Sequence, residues 1–138
     1  MALTAVDTNV IVRLLTRDDP QQLLAAKRCF ATGEIFVSDS VLLETAWVLG
    51  AAYSFSDEQI AVALRGLLGL HNVRVADVAR IALAVEGYEH GLDFADALHL
   101  ASSQHADAFR TFDRDLVARS AGLGVCPVVD AGTGGTAR

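Results

Sequence analysis

Four acidic residues lie far apart in the sequence, but each stands in an otherwise apolar segment where a strand is expected to end or a helix to begin. A carboxylate near a core is costly, because desolvation disfavours its charged form and neighbouring negative charges add to the cost. A divalent cation offsets that repulsion, and carboxylate oxygens suit Mg²⁺ or Mn²⁺, which can then bind phosphate substrates. The sequence therefore predicts one acidic metal-binding pocket, formed by Asp7, Glu44, Asp96 and Asp113.

Most of these positions also have a purely structural interpretation. Asp7 could act only as a helix cap, a role that contributes about 1 kcal/mol. Glu44 stands among apolar residues, so a paired charge inside the core is an interpretation comparable to a functional one. Asp96 could be a first-turn partner of the helix dipole, because Asp93 is available as the N-cap.

Two neighbouring side chains leave their roles open. Asp115 follows Asp113 by two residues and is either an auxiliary ligand or an ordinary charge at a helix start. His99 follows Asp96 by three residues, so both can occupy one helix face. His99 is then either an imidazole ligand or proton shuttle, or a hydrogen-bonded structural histidine.

Short apolar segments alternate with helical ones along the chain. Strands are predicted over residues 3–6, 35–37, 73–75, 108–112 and 125–129. Helices are predicted over residues 8–15, 20–31, 41–49, 57–68, 78–90, 94–104 and 114–120, with Thr8, Asp19, Ser38 to Ser40, Ser56 and Asp77 as capping residues. The aromatic residues expected in the core are Trp47, Phe94, Phe109 and Phe112.

This alternation predicts an α/β fold with three layers, in which helices cover both faces of a central parallel sheet of four to five strands. Ligands of such sheets bind beyond the carboxyl ends of the strands, where Asp7 and Asp113 are placed. One domain is expected over residues 1–130. Residues 131–138, rich in Gly and Thr, are expected to form a flexible tail.

The composition, 138 residues of which 52% are hydrophobic and 20% charged, is typical of one globular domain with a proper core. Cys29 and Cys126 lack the spacing of a disulfide framework or a zinc site, which favours a reducing cytoplasm. The longest apolar stretch, residues 41–55, contains Glu44 and is shorter than the roughly 20 residues of a membrane span. No membrane partner is therefore expected.

The net charge of −6 disfavours a protein that binds nucleic acid by broad phosphate neutralisation. Without the four candidate ligands the charge is −6 + 4 = −2, so much of the excess belongs to the predicted metal site. The basic residues either form a local basic rim or are scattered, solvated charges; they include Arg13, Arg17, Lys27, Arg28, Arg110, Arg114 and Arg119.

Taken together, four short motifs resemble the PIN-domain nucleases, and most closely the VapC-type toxins of bacterial toxin–antitoxin pairs. The motifs are DTN at residues 7–9, SVLLE ending at Glu44, FADALHLA around Asp96 and TFDRDL around Asp113. They follow one another in the right order over nearly the whole chain. The resemblance implies a strand order of 3-2-1-4-5 and an endoribonuclease that uses Mg²⁺ or Mn²⁺ held by the four carboxylates.

The same resemblance implies supporting residues and partners. Asn9 and Thr111 would help to arrange the site. Asp115 would support a second ion, and Asp93 matches an acidic position seen less regularly. A metal-activated water would attack an RNA phosphodiester in line, leaving 5′-phosphate and 3′-hydroxyl ends. The partners implied are RNA, a second copy in a homodimer, and a small antitoxin whose C-terminal segment blocks the active groove.

Two other classes of protein remain as alternatives. A phosphoaspartyl phosphatase or receiver-like domain would use Asp7 as the phosphorylated residue. It would need a lysine at a strand end, whereas the single lysine, Lys27, is expected in mid-helix, and the phosphatase pattern also wants an aspartate where Asn9 stands. A non-catalytic interaction module would use the acidic pocket to accept an arginine-rich peptide.

Overall fold

The computed structural model of the chain describes residues 2–133. Within that range the chain forms seven α-helices, five β-strands and one short 3₁₀ helix. It divides into two compact units, Met1–Asp77 and Val78–Arg138. Among the described residues, no helix has both the length and the apolar character that a bilayer crossing requires.

The first unit alternates strands and helices. Its elements are β1 (Leu3–Ala5), α1 (Thr8–Thr16), α2 (Pro20–Phe30), β2 (Glu34–Phe36), α3 (Asp39–Tyr53), α4 (Asp57–Leu68) and β3 (Val73–Arg74). The sheet is parallel, and β2 lies between β1 and β3. Thr4 of β1 lies opposite Ile35 of β2, which in turn lies opposite Val73 of β3.

Capping side chains fix the starts of three helices in this unit. The Asp19 carboxylate accepts hydrogen bonds from the backbone N–H groups of Gln21 and Gln22, both at 3.1 Å, and Pro20 occupies the first turn of α2. Ser38 caps α3, and Ser56 begins α4 in a capping box. These groups satisfy N–H donors that have no partner inside the helix, and each such cap contributes about 1 kcal/mol. The predicted helix starts at these positions are confirmed.

Several apolar side chains of the first unit are buried almost completely. They include Ile11, Ile35, Leu42, Leu49 and Leu64. Burial of each such side chain stabilises the fold by about 1.5–3 kcal/mol. These buried residues place one side of α1 and one side of α3 against the core of the unit.

The second unit contains fewer strands. Its elements are α5 (Val78–Glu89), α6 (Phe94–Ala101), β4 (Phe109–Thr111), α7 (Arg114–Arg119), β5 (Val128–Asp130) and the 3₁₀ helix (Ala131–Thr133). Strands β4 and β5 are parallel, with Phe109 opposite Val128. As predicted, α5 ends before Gly91, whose φ of 105° favours glycine.

Helices α5 and α6 approach each other at a glycine. A Cβ atom at Gly87 would lie 3.3 Å from the Cβ of Ala97, so a larger residue would force the two helices apart. Next to this contact, the rings of Tyr88 and Phe94 meet edge to face, with centroids 5.5 Å apart. The packing holds α6 at a fixed distance from α5.

The predicted α/β class agrees with these parallel sheets. The pairings found correspond to the 3-2-1 and 4-5 parts of the expected order. Pairing of β1 with β4, which would join the two sheets into one, stays a prediction, as does the three-layer arrangement. The structure bears on the expected tail over residues 131–138 only in part, because Ala131–Thr133 forms the 3₁₀ helix and residues 134–138 lie outside the described range.

Several expectations at the level of residues were wrong. Trp47 is 69% exposed and Phe112 is 81% exposed, whereas Phe94 is buried as predicted. Trp47 lies on the outer side of α3 with Glu44, and Phe112 stands beyond the last residue of β4. Helix α6 also ends at Ala101, before the predicted end, and β5 begins later than predicted.

Candidate functional site

Asp7 is placed by the junction of β1 and α1. It follows the buried Val6 and is the N-cap of α1, with its Oδ1 accepting a hydrogen bond from the backbone N–H of Thr8 at 2.8 Å. The prediction that Thr8 is the cap was wrong, because Thr8 is already the first helical residue. The cap fixes the Asp7 carboxylate while the side chain remains exposed.

The Thr8 hydroxyl links Glu44 of α3 to the start of α1. Thr8 is buried, and its Oγ1 donates a hydrogen bond to Oε1 of Glu44 at 2.5 Å. Glu44 lies in the second turn of α3 and is exposed, so its interpretation as a paired charge inside the core was wrong. Thr8 therefore bonds Asp7 through its backbone and Glu44 through its side chain.

A cavity of about 430 Å³ lies between α1 and α3. Its lining combines both carboxylates with amide, guanidinium and phenol groups; the lining residues are Asp7, Thr8, Asn9, Val12, Arg13, Glu44, Val48, Ala52 and Tyr53. Asn9 is exposed on its wall, and its predicted supporting role stays a prediction. The cavity has space for a group the size of a nucleotide sugar and phosphate.

Arg13 supplies the positive charge of this cavity. Its Nη1 donates hydrogen bonds to the Tyr53 hydroxyl at 2.8 Å and to Oδ1 of Asp18 at 3.1 Å. Desolvation acts to lower the pKa of Arg13, but Tyr53 and Asp18 outweigh it and raise the pKa above its ordinary value. Arg13 follows Asp7 by six residues, which corresponds to a backbone rise of about 9 Å along the axis of α1. The cavity thus offers negative groups toward one end of α1 and a cation toward the other.

In the second unit, three carboxylates are placed at the starts of α6 and α7. Asp93 is the N-cap of α6 and accepts a hydrogen bond from the backbone N–H of Ala95 at 3.1 Å. Asp96 lies in the first turn of the same helix. Asp113 is the N-cap of α7, as its Oδ1 accepts from the backbone N–H of Leu116 at 3.1 Å.

Thr111 fixes the backbone at Asp113. The hydroxyl of Thr111 accepts a hydrogen bond from the backbone N–H of Asp113 at 3.0 Å. This bond closes a tight turn between β4 and α7. Thr111 therefore acts on the position of Asp113, although its predicted role in arranging a metal site stays a prediction.

The carboxylates of the second unit interact electrostatically. Partial burial raises the pKa of Asp96 above its ordinary value, and the negative charges of Asp93 and Asp113 raise it further. The imidazole of His99 partly opposes this increase in the pKa of Asp96. A carboxylate such as Asp96, whose ionisation is disfavoured by burial and by nearby negative charges, is one that a bound cation would stabilise in its charged form.

Asp115 and His99 are the other two residues of the second unit whose roles the sequence left open. Asp115 stands in the first turn of α7 and forms an ion pair with Arg119, whose Nη2 is 3.7 Å from its Oδ2. That contact favours the interpretation of Asp115 as an ordinary charge at a helix start. His99 is exposed on α6, three residues after Asp96.

The spacing of the candidate donor side chains bears on the predicted metal site. Within residues 2–133, no three or more His, Cys, Asp or Glu side chains are grouped so that they could hold an ion. The donors themselves are carboxylate oxygens, which suit Mg²⁺ or Mn²⁺. The chemistry of the donors fits such an ion, and its binding by these four residues stays a prediction.

A comparison with sequence profiles of known families gave one decisive result. The profile of the PIN domain matches residues 4–122, which include all four candidate ligands. The chain belongs to the PIN-domain family. PIN domains are generally nucleases and typically use divalent metals. A search of curated proteins found no match to this PIN domain.

Sequence reasoning missed two features of this PIN domain. The Thr8 hydroxyl was not assigned to Glu44, although a threonine directly after a strand-end aspartate was a usable signal. Arg13 was considered only for a basic rim. Its spacing of four residues from Asn9 places both on one face of α1 and could have indicated its place in the cavity wall.

Proposed function

We propose that this PIN domain is a Mg²⁺- or Mn²⁺-dependent endoribonuclease and the toxin of a toxin–antitoxin pair. The observation that carries the proposal is the PIN match, which spans all four carboxylates. Family membership supports nuclease chemistry of the hydrolase class and suggests RNA binding. The homodimer, the antitoxin and a cytoplasmic location are further parts of this proposal.

The proposed ligands are Asp7, Glu44, Asp96 and Asp113. A divalent ion bound by them would lower the pKa of a water molecule and stabilise negative charge on the phosphodiester oxygens. Hydrogen bonds hold three of these carboxylates in place: Thr8 fixes Asp7 and Glu44, and the backbone of α7 fixes Asp113. Such outer contacts keep ligands in a productive orientation before the ion arrives.

The wall of the first-unit cavity has a separate task in this proposal. Asn9 and Arg13 lie on the side of α1 that lines the cavity with Asp7. An amide and a guanidinium can donate hydrogen bonds to phosphate or ribose oxygens of RNA. The substrate would then be bound by a few directed contacts, which suits a protein with a net charge of −6.

The first experiment measures cleavage of a labelled RNA by the purified protein with Mg²⁺ or Mn²⁺, and again with EDTA. Asp7→Asn should reduce the rate by about 100-fold or more, because a ligand to the ion is lost. Asp107→Asn is the matched control, since Asp107 is exposed and is not among the candidate acidic residues of either unit. Absence of cleavage by the wild type with either ion, or equal cleavage by Asp7→Asn, would overturn the proposal.

One alternative has an observation in its favour. Because no complete ligand group is formed among the side chains of the described range, the acidic residues could serve a non-catalytic module that accepts an arginine-rich peptide. That module would bind such a peptide without any requirement for Mg²⁺ and would leave RNA intact. The phosphoaspartyl alternative lacks support, because Lys27 lines a different cavity from Asp7.

A further inference from the structure

Phe112 exposes an aromatic ring directly beside Asp113. The ring belongs to the residue after β4 and is 81% exposed. A single exposed apolar side chain is ordinary on a protein surface, so exposure alone assigns no role to Phe112. Its support and its charged neighbours are what distinguish this ring.

One edge of the ring lies near a hydrogen-bonded stretch of backbone. A Cβ atom at Gly132 would lie 3.9 Å from both Cδ1 and Cε1 of Phe112, so one edge of the ring lies close to a residue that has no side chain. Gly132 is itself held by a hydrogen bond from its N–H to Oδ1 of Asp130 at 2.8 Å. The ring is therefore supported at one edge, while most of its surface remains open.

Two arginines stand close to Phe112 in the sequence. Arg110 and Arg114 lie two residues before and two residues after Phe112, and both are exposed. The side chain of Arg114 is 90% exposed, and its Nε is 3.5 Å from Oδ2 of Asp130. An ion pair of this length and exposure contributes little free energy, so a phosphate can replace the carboxylate at small cost. Asp113 and Asp115 stand on either side of Arg114 in the sequence, so the arginine would act as a directed phosphate contact and not as part of a broad basic surface.

We propose that Phe112 is a stacking platform for one unpaired base of the RNA substrate, and that Arg114 binds a phosphate next to that base. The inference rests on the proposed function and adds to it two residues that bind the RNA substrate. Open aromatic rings beside arginines are how many proteins bind single strands, because every base has a face that can stack. Bases inside a duplex are already stacked on one another and cannot use the ring.

The test measures binding rather than cleavage. Short single-stranded RNAs, each with the fluorescent base 2-aminopurine at one position, are titrated with the wild-type protein in EDTA, where metal-dependent cleavage is prevented. Phe112→Ala should weaken binding by about 5- to 150-fold, the range measured for loss of one stacked base. Phe112→Trp should retain the affinity, since it keeps an aromatic face. Val62→Ala is the control, because Val62 is also 73% exposed and lies on α4, away from Phe112 in the sequence.

Replacement of one nucleotide of the RNA at a time by an abasic nucleotide tests the stacking contact more sharply than the affinities alone. Removal of the stacked base should weaken binding to the wild type but should not weaken binding to Phe112→Ala any further, because the two changes remove the same contact. A duplex of the same sequence should bind equally to both proteins. If abasic substitution at each position has the same effect on both proteins, the ring does not stack on a base.

The outcomes separate this inference from the proposed function. Cleavage with unchanged binding by Phe112→Ala overturns the stacking role and leaves the nuclease standing. Binding that depends on Phe112 without cleavage under any metal supports the stacking role and overturns the nuclease. Absence of RNA binding by the wild type overturns the stacking role. A change in oligomeric state on sedimentation, with RNA binding unchanged, would assign the ring to a protein interface and would also overturn it.

Discussion

Thr8 shows how one residue can prepare two candidate ligands. Its backbone N–H fixes Asp7, and its hydroxyl fixes Glu44 from a different helix. Because Thr8 is buried, water competes poorly for the hydroxyl, and the bond should persist in solution. Its effect on a bound ion would be indirect, through the orientation of the two carboxylates.

Replacement of Thr8 by valine tests that role. Thr8→Val keeps the shape of the side chain and removes the hydroxyl, so we expect the free energy of unfolding to change by no more than about 1 kcal/mol. RNA cleavage should fall by about 10- to 100-fold, as is usual when an outer contact to a metal ligand is lost. The control is Thr45→Val, because Thr45 is equally buried but bonds the carbonyl of Val41. Equal cleavage by the two variants would contradict the role assigned to Thr8.

Asp96 gives the metal-free protein a dependence of stability on pH. Its pKa is raised in the folded state, so the folded chain binds this proton more tightly than the unfolded chain does. Stability therefore falls as pH rises above the ordinary aspartate value of about 3.9 and through the raised value. Asp96→Asn removes that loss, and in EDTA it should melt at a higher temperature than the wild type at pH 7.

The same melting measurements, repeated at lower pH and with Mg²⁺, test whether charge repulsion at Asp96 is the cause. The difference in melting temperature between Asp96→Asn and the wild type should narrow as pH is lowered through the raised pKa of Asp96, because the wild-type side chain then also becomes neutral. Excess Mg²⁺ at pH 7 should raise the melting temperature of the wild type more than that of the variant, because the ion binds the folded wild type. A difference that does not depend on pH would count against charge repulsion at Asp96.

At the scale of elements, local chemistry made most of the fold predictable. Asp19 with Pro20, Ser38 and Ser56 were sufficient to locate helix starts, because caps act within three residues of themselves. The strand followed by a carboxylate at Asp7 was likewise a local signal. Lengths of elements were less predictable, as at the end of α6, because they depend on packing and on which carbonyls find partners.

The exposure of individual side chains could not be predicted from local sequence signals. Trp47 and Phe112 are exposed although their residue type favours the core, since the face that a side chain occupies is set by tertiary packing. The Thr8 to Glu44 bond joins residues 36 positions apart and has no local signature. Pairing between the two sheets depends on contacts of that long-range kind and stays a prediction.

The approach of α5 and α6 leads to a prediction about an element. Gly87→Val would place side-chain atoms where even a Cβ is 3.3 Å from Ala97, so it should destabilise the fold by about 1–3 kcal/mol. Because Ala97 adjoins Asp96, RNA cleavage should also fall. Gly66→Val is the control, as a Cβ there meets nothing within 4 Å. Chemical denaturation of both variants measures the effect, and equal stability would contradict the close packing at Gly87.

The whole molecule combines an acidic net charge with a nuclease family. The PIN match runs from β1 to just beyond α7 and so includes residues of both compact units. Each unit contributes two of the four proposed ligands, Asp7 and Glu44 from the first and Asp96 and Asp113 from the second. We propose that these four carboxylates bind one divalent ion, which would change the net charge from −6 to −6 + 2 = −4 when RNA is bound.

Direct titration of the protein with Mn²⁺, followed by the electron paramagnetic resonance of the free ion, tests that claim most directly. The wild type should bind the ion, and Asp7→Asn, Glu44→Gln, Asp96→Asn and Asp113→Asn should each weaken binding by about 10-fold or more. Asp107→Asn and Glu86→Gln, which alter exposed carboxylates outside both groups, should bind as the wild type does. No binding by the wild type, or weakened binding only for the two variants of a single unit, would contradict a site built from all four carboxylates.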